Sequence, residues 1–234
     1  MCNTKKVKQC LSSELHGWKK SEILWLIVAS FVILFLSLYW GENLVGIISA
    51  LTGVWCVILT GMGKRSSYIF GIVNVILYAW IAFGAKYYGD VMLNLLYFLP
   101  MSFIGFFEWG RHLSSSGGEV EKRRLPLKNT VLVFLVTGAA VFGYGLVLKK
   151  LTGSLPFVDS CSTVLSIVAQ ILCNRRYAEQ WLLWIIVDVV TVIMWIFAFF
   201  NGGESIATLL MWSVYLLNAV FMYIRWEKEA KNAV

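Results

Sequence analysis

The sequence predicts an all-α polytopic membrane protein with eight transmembrane helices. Apolar residue types make up 59% of its 234 residues, and the mean hydropathy is +0.74. Apolar runs close to the roughly 20 residues that a helix needs to cross a bilayer recur along the chain. The net charge of +7 lies mostly in short segments between these runs, a distribution typical of topology signals. We therefore expect a lipid bilayer, and no nucleic acid, as the partner.

The predicted spans are joined mainly by short connections. The first span follows a basic tail, but it is too long for a signal-peptide core and lacks a small-residue cleavage site, so we expect it to be retained. The longest connection, residues 110–128, is polar and contains glycine, which predicts a solvated linker. The spans are about 22–39, 44–60, 67–84, 91–109, 129–148, 157–173, 181–200 and 204–224.

The distribution of basic residues predicts the orientation. Eight spans place both termini on one side of the membrane. If that side is the cytoplasm, 17 of the 20 Lys and Arg residues lie inside, and only Lys86, Lys149 and Lys150 lie outside. This asymmetry follows the positive-inside rule, so we expect cytoplasmic N- and C-termini.

An internal repeat groups the spans as 1 + (3+1+3). Spans two to four and six to eight share one order of features, and Asn74 aligns with Asp188 as Asp90 does with Glu204, both 114 residues apart. The single span between the triplets restores their direction, so the repeats are parallel. This is the SWEET-like plan, which places a substrate site near the midplane between the repeats. The alternative is that the two sets of three spans are alike only in hydropathy.

This plan divides the chain into four parts. They are the tail and extra first helix (1–43), the first three-helix repeat (44–109), the linker and connecting helix (110–156), and the second repeat with its tail (157–234).

The most informative stretch lies in the seventh predicted span. Trp181, Trp184 and Asp188 are spaced i, i+3 and i+7, so they share one face of a helix. A carboxylate in hydrocarbon is costly, and therefore Asp188 should face the protein interior or a wet cavity. Indoles beside an acid favour a flat, cationic ligand. The alternatives are an interfacial aromatic belt for the tryptophans, and an ion pair or a proton relay for Asp188.

Amide and phenol side chains in the spans complete the candidate substrate site. Each has an alternative role in a helix–helix hydrogen bond, worth about 0.6 kcal/mol on average. Their recurrence at matched depths in both repeats favours ligand contact for the set. These further candidates are Asn74, Tyr78, Asn94, Gln170, Asn174, Tyr215 and Asn218.

Enzyme chemistry finds little support. The two histidines, His16 and His112, lie outside the predicted spans, so no intramembrane Ser–His or His–metal site is available. The five cysteines lack metal-binding spacing, and there is no phosphate loop or nucleotide fingerprint. The sequence predicts a protein that is not an enzyme and that needs no cofactor or metal.

The segment LPFVDSCSTVLSIVAQILCNRRYAEQWLLWIIVDVV resembles the most distinctive block of the PnuC family of bacterial vitamin transporters. GIVNV, at residues 71–75, resembles the family's first repeat, and the resemblance covers residues 44–226. It implies passive, uncoupled uptake of nicotinamide riboside through the bacterial inner membrane, with trapping by cytoplasmic phosphorylation. Asp188 departs from the family, which often has Asn at this position.

The residues in the spans agree with this substrate. Trp181 and Trp184 are suited to stacking on a pyridinium ring, and amide side chains to pairing with the carboxamide and ribose. The lack of an Arg cluster in the spans argues against the mononucleotide. We expect the two triplets to rock about the site. A SWEET-like carrier of a sugar or other small neutral solute and a non-transporting scaffold or receptor remain alternatives, and a homo-oligomer is compatible with the sequence.

Overall fold

The structure, a computed structural model, confirms the all-α class. It describes residues 18–84, 88–114, 118–151, 156–200 and 206–232. Within these ranges the regular elements are helices, and the β-pairing is limited to two isolated bridges, Leu113 with Val120 and Arg123 with Tyr177.

Each predicted span corresponds to a helix, and most helices are longer than predicted. Seven are long and apolar enough to cross a membrane; the apolar part described for α7, Gln180–Met194, is shorter, so its crossing stays a prediction. The helices are α1 Lys20–Tyr39, α2 Leu44–Gly61, α3 Ser67–Gly84, α4 Tyr88–Gly110, α5 Leu127–Lys150, α6 Pro156–Asn174, α7 Gln180–Phe200 and α8 Ile206–Asn232.

Local chemistry explains two features of these helices. The Asn43 side chain accepts a hydrogen bond from Gly46 N at 2.9 Å and so caps the start of α2. Within α4, Leu93–Phe98 forms a π-helical segment that ends just before Pro100. Proline has no N–H to bond the carbonyl four residues earlier, and this loss favours an irregular turn at that point.

We describe the helices as two groups of three, α2–α4 and α6–α8, following the triplets that the sequence predicts, with α1 and α5 packed beside them. In the first group α2 packs on α3 and α3 on α4; in the second α6 packs on α7 and α7 on α8. The groups meet along two contacts, α2 with α8 and α4 with α6. Helix α1 lies against α2 and α8, and α5 lies against α6. The site that the sequence predicts between the triplets would therefore be bounded by these two contacts.

The turns that carry basic residues lie together at one end of the molecule, which we call the basic end. Glu22 near the start of α1 forms a salt bridge with Arg225 near the end of α8. The α2–α3 turn is bound to the linker, because Gly63 O accepts a hydrogen bond from Val120 N at 2.8 Å. The α6–α7 turn is bound to the same linker through Arg176 O.

Residues 118–126 of the predicted solvated linker form a strap across the basic end, in which Glu121, Arg123, Arg124 and Pro126 are exposed and Val120 is buried. Val120 is 3% exposed and belongs to an apolar cluster that also contains Trp109 and Trp226. Arg123 N donates to Arg176 O at 2.8 Å, and Arg123 O accepts from Ala178 N at 2.9 Å. The strap packs in spite of its polar side chains, because its backbone pairs with turns that are distant in sequence.

Glu179 anchors the end of the strap. Its Oε1 accepts a hydrogen bond from Leu125 N at 3.0 Å. Burial raises the pKa of Glu179, although backbone hydrogen bonds from Glu179 and Leu125 and the charge of Arg124 partly oppose this rise. The strap therefore covers a carboxyl group that would otherwise lie at an open helix start.

An ionic network joins the strap to α1 and α8. Arg225 binds Glu22, Glu119 at 3.5 Å and Glu229 at 2.7 Å. Lys122, whose side chain is 4% exposed, binds Glu229 and also Glu119 at 3.0 Å. Because the charges are shared and mostly shielded from water, this network should stabilise the fold more than isolated surface pairs do.

Replacing Glu229 with Gln should lower the thermal unfolding midpoint of the detergent-solubilised protein. The change leaves Lys122 and Arg225 with one charged partner fewer, at a cost of about 1–3 kcal/mol. Lys231→Gln is the control, because its salt bridge with Glu227 is 55% exposed on the lysine side and should contribute little. Equal effects of the two substitutions on the midpoint would contradict a stabilising role for the network.

Candidate functional site

Polar side chains from both helical groups meet around Gly53 in α2. A Cβ at this position would lie 1.9 Å from the Tyr215 hydroxyl of α8 and 2.8 Å from Asn74 Nδ2 of α3, so only glycine leaves room for both. Tyr78 of α3 and Asp188 of α7 lie within electrostatic range of Tyr215. We call Asn74, Tyr78, Asp188 and Tyr215 the central cluster.

Asn74 uses one end of its amide for the fold. Its Nδ2 donates to Ser49 O at 2.8 Å and approaches Ser49 Oγ at 3.4 Å, which ties α3 to α2. The hydrogen bonds described for this side chain involve Nδ2 alone. Its Oδ1 can therefore accept a hydrogen bond from a ligand without loss of the helix contact.

Asp188 faces the protein interior, as the sequence predicts. It is 2% exposed, and among the described residues it joins no salt bridge. Val187 beside it is buried in an apolar cluster with Leu183. Trp184, one turn earlier on the same helix face, is half-buried and packs against this cluster and the cluster that contains Trp226. A carboxylate and an indole thus lie side by side between packed layers.

Trp212 is a candidate that the sequence reasoning missed. It packs against apolar clusters of both helical groups, and its ring centroid lies 5.3 Å from that of Tyr215 in an edge-on arrangement. Its Nε1 is buried and has no hydrogen-bond partner among the described residues. The signal was available, since Trp212 and Tyr215 show the same i, i+3 spacing as Trp181 and Trp184.

Asn174 and Gln170 are engaged in helix contacts. Asn174 Oδ1 accepts hydrogen bonds from Tyr68 OH at 2.9 Å and from Gln170 Nε2 at 3.0 Å. Its Nδ2 donates to Met101 O at 2.9 Å. One side chain therefore connects α3, α4 and α6, and a ligand role for either residue stays a prediction.

Three other sequence candidates are not members of the central cluster, although Asn218 lies one helical turn from Tyr215. Asn94 Nδ2 donates to Asp90 O of its own helix at 2.8 Å. Asn218 Nδ2 donates to Val57 O at 3.0 Å, which joins α8 to α2. Trp181 is 3% exposed and packs edge-on against Trp226 at 5.9 Å. This packing is not that of an interfacial belt residue, and ligand contact by these three side chains stays a prediction.

An apolar groove on α3 and α4 is unsuited to a polar substrate. Its volume is about 480 Å³, and its lining includes Trp80, Phe83 and Leu95. Within the described ranges, no group of three His, Cys, Asp or Glu side chains is placed to hold a metal ion. The central cluster is therefore the better candidate for recognition of a polar organic molecule.

Known proteins resemble this chain over most of its length. Residues 43–228 match the model of a family described as nicotinamide mononucleotide transporter. The nicotinamide riboside transporter PnuC of Neisseria mucosa is 37% identical over 221 residues, which cover 92% of this chain and 84% of the relative. Its counterpart in Haemophilus influenzae is 33% identical over 220 residues, covering 93% and 94%. The crystal structure of the vitamin B3 transporter PnuC matches with a TM-score of 0.84 and 36% identity, covering 95% of this chain and 97% of that chain.

Replacing Gly53 with Ala should destabilise the protein. The new methyl group would overlap the Tyr215 hydroxyl, and overpacking of this kind costs about 1–3 kcal/mol. The thermal unfolding midpoint should fall, whereas Gly138→Ala in α5 serves as the control because its added methyl group meets no atom within 4 Å. If the unfolding midpoint of Gly53→Ala equals that of Gly138→Ala, Tyr215 is not held against α2.

Proposed function

Because this chain belongs to the PnuC family of membrane transporters, we propose that it takes up nicotinamide riboside. The observation that carries the proposal is the central cluster, where Tyr215 of one helical group and Asn74 of the other meet at Gly53, with the buried Asp188 and Tyr78 within electrostatic range of Tyr215. The relatives that bear the name of this substrate are 33–37% identical to the chain. A nucleoside-sized vitamin with a flat cationic ring suits this set of side chains.

The aromatic ring of the substrate would bind beside Trp184. A desolvated cation–π contact with an indole is worth about 2 kcal/mol, and Trp212 offers a second indole at the same level of the structure. The carboxamide and ribose hydroxyls need both donors and acceptors. Asn74 Oδ1 and the hydroxyls of Tyr78 and Tyr215 supply them. The other sequence candidates would then position the helices that hold these groups.

Charge favours the riboside over its phosphorylated form. A buried phosphate requires basic partners, usually arginine. The central cluster contains Asp188 and no basic side chain, so a phosphate there would be repelled as well as desolvated. Exclusion of the mononucleotide also suits uptake followed by phosphorylation, because the charged product could not return by the same route.

The packing of the helices supports alternating access. If α2, α3 and α4 change places with α6, α7 and α8, the α2–α8 contact becomes the α6–α4 contact, and both contacts are present. Two parallel three-helix repeats in a SWEET-like arrangement require this symmetry. The close approach of Tyr215 to Gly53 fills the centre of the α2–α8 contact. Substrate entry therefore requires the triplets to separate, and rocking about the cluster would expose it to either side in turn. Passive transport needs no coupling ion.

We assign the basic end to the cytoplasm of the bacterial cell, in its inner membrane. The described turns at that end carry most of the lysines and arginines, while Lys149 and Lys150 lie at the opposite end of α5. This distribution agrees with the positive-inside rule. Both termini would then be cytoplasmic, because α1 begins and α8 ends at the basic end.

Purified protein in liposomes should carry radiolabelled nicotinamide riboside down its gradient. Imposed Na⁺ or H⁺ gradients should leave the initial rate unchanged, because the proposed mechanism has no coupling ion. Nicotinamide mononucleotide should neither enter nor compete, since the cluster lacks a phosphate partner. Uptake equal to that of empty liposomes would support a scaffold or receptor, and binding of a sugar without binding of the riboside would support a SWEET-like carrier.

Replacing Trp184 with Ala should weaken riboside binding by more than tenfold, since about 2 kcal/mol of ring contact is lost. Calorimetry on the detergent-solubilised protein measures the change. Trp80→Ala is the matched control, because this indole is 71% exposed on the apolar groove. A Trp184 variant that binds with the affinity of the control would remove Trp184 from the site.

A further inference from the structure

The central cluster contains a carboxyl group that the fold does not pair with a basic side chain within the described residues. Asp188 is 2% exposed and joins no salt bridge among the described residues. Three basic side chains of the basic end have other partners: Arg225 binds three carboxylates, Lys122 binds two, and Arg65 donates to Phe106 O at 2.8 Å. Asp188 lies two turns into α7 and is not part of this network.

A buried carboxylate without a cationic partner is costly. Its desolvation is offset only by hydrogen bonds and by an opposite charge. Tyr215 interacts electrostatically with Asp188 and with Tyr78, and phenols are neutral at physiological pH. These two phenols can offer hydrogen bonds but no positive charge.

The position of Asp188 argues against a role in stabilising helix contacts. The buried amides at the helix contacts, Asn174 and Asn218, bind the backbone of neighbouring helices directly. A neutral amide meets that need without the cost of burying a charge. Asp188 instead lies one helical turn from the half-buried Trp184, on the same face. A ring stacked on this indole would lie next to the carboxylate.

We propose that Asp188 determines specificity for charge, acting as the counter-ion of a cationic pyridinium ring and selecting it over a neutral ring of the same shape. The proposal rests on the proposed function and adds to it the class of substrate that this chain prefers. A pyridinium ring that enters the cluster provides the positive charge that Asp188 lacks among its protein neighbours. The indole of Trp184 binds another face or edge of the same ring. A neutral ring retains the stacking but leaves the carboxylate uncompensated.

The substrate pair that tests this proposal is nicotinamide riboside and its 1,4-dihydro form. The two share the ribose and the carboxamide, but only the first carries a positive charge on the ring. Calorimetry with the whole protein in detergent gives both dissociation constants. The wild-type protein should bind the cationic form at least about tenfold more tightly, a modest value for a close charge pair.

Asp188→Asn should reduce the ratio of the two dissociation constants about tenfold, because the amide keeps the shape but not the charge. Asp188→Glu should keep the preference for the cationic form, even where the longer side chain weakens both affinities. The thermal unfolding midpoint and the elution volume of each variant establish that it is folded. If Asp188→Asn does not fold, the ratio in Trp184→Leu still tests the proposal, because this variant lacks the cation–π contact and should keep only the preference due to Asp188.

The outcomes separate this inference from the proposed function. Wild-type protein that binds nicotinamide riboside but does not prefer it over the dihydro form would overturn the role of Asp188 alone. A folded Asp188→Asn variant that keeps the wild-type ratio would overturn that role as well. Wild-type protein that binds neither form would overturn the proposed function, and the inference with it.

Discussion

The polar groups of the apolar helices must find their partners inside the protein, and the rest of the structure depends on this constraint. Lipid offers no hydrogen bonds, so an unpaired amide at membrane depth is costly. Asn174 meets the constraint by binding groups of α3, α4 and α6 at once, and Tyr97 OH donates to Ile167 O at 2.7 Å across the α4–α6 contact. Asn218 does the same across the α2–α8 contact. The two contacts between the helical groups are thus each fixed by directional bonds.

The same constraint separates the residues that hold the fold from those that are suited to a ligand. Asn174 has its oxygen and its nitrogen occupied by protein groups. Asn74 has a protein partner for its nitrogen, while Asp188 has no charged partner within the described ranges. In the central cluster, Asn74 Oδ1 and the Asp188 carboxyl group therefore have capacity for a ligand, and the unpartnered Asn218 Oδ1 lies one helical turn from Tyr215. A polar substrate would provide hydrogen-bond partners for these groups, as neighbouring helices do for the buried amides elsewhere.

The sequence was sufficient to predict the helices and the burial of Asp188, because hydropathy and helical spacing are local signals. It was insufficient for Asn174 and Gln170, since an intramembrane amide has the same appearance whether its partner is a ligand or another helix. The packing of the strap could not be predicted for a related reason. Residues 118–126 look solvated, but their backbone partners, Gly63 and Arg176, lie far away in the chain. Trp212 was missed because its importance comes from contacts with both helical groups.

The strap has a further consequence for a carrier of this design. It lies between the two triplets in the chain, and its backbone binds the α2–α3 turn through Gly63 and the α6–α7 turn through Arg176, while Lys122 pairs with Glu229 of α8. An opening that separates these turns must break the backbone hydrogen bonds of the strap, and movement of α8 away from the strap must break its ion pairs. Charges that such an opening exposes are screened over about 8 Å at physiological salt, so the free energy of the open state should vary with the ionic strength on one face of the membrane only. The carrier would then be kinetically asymmetric while remaining thermodynamically passive.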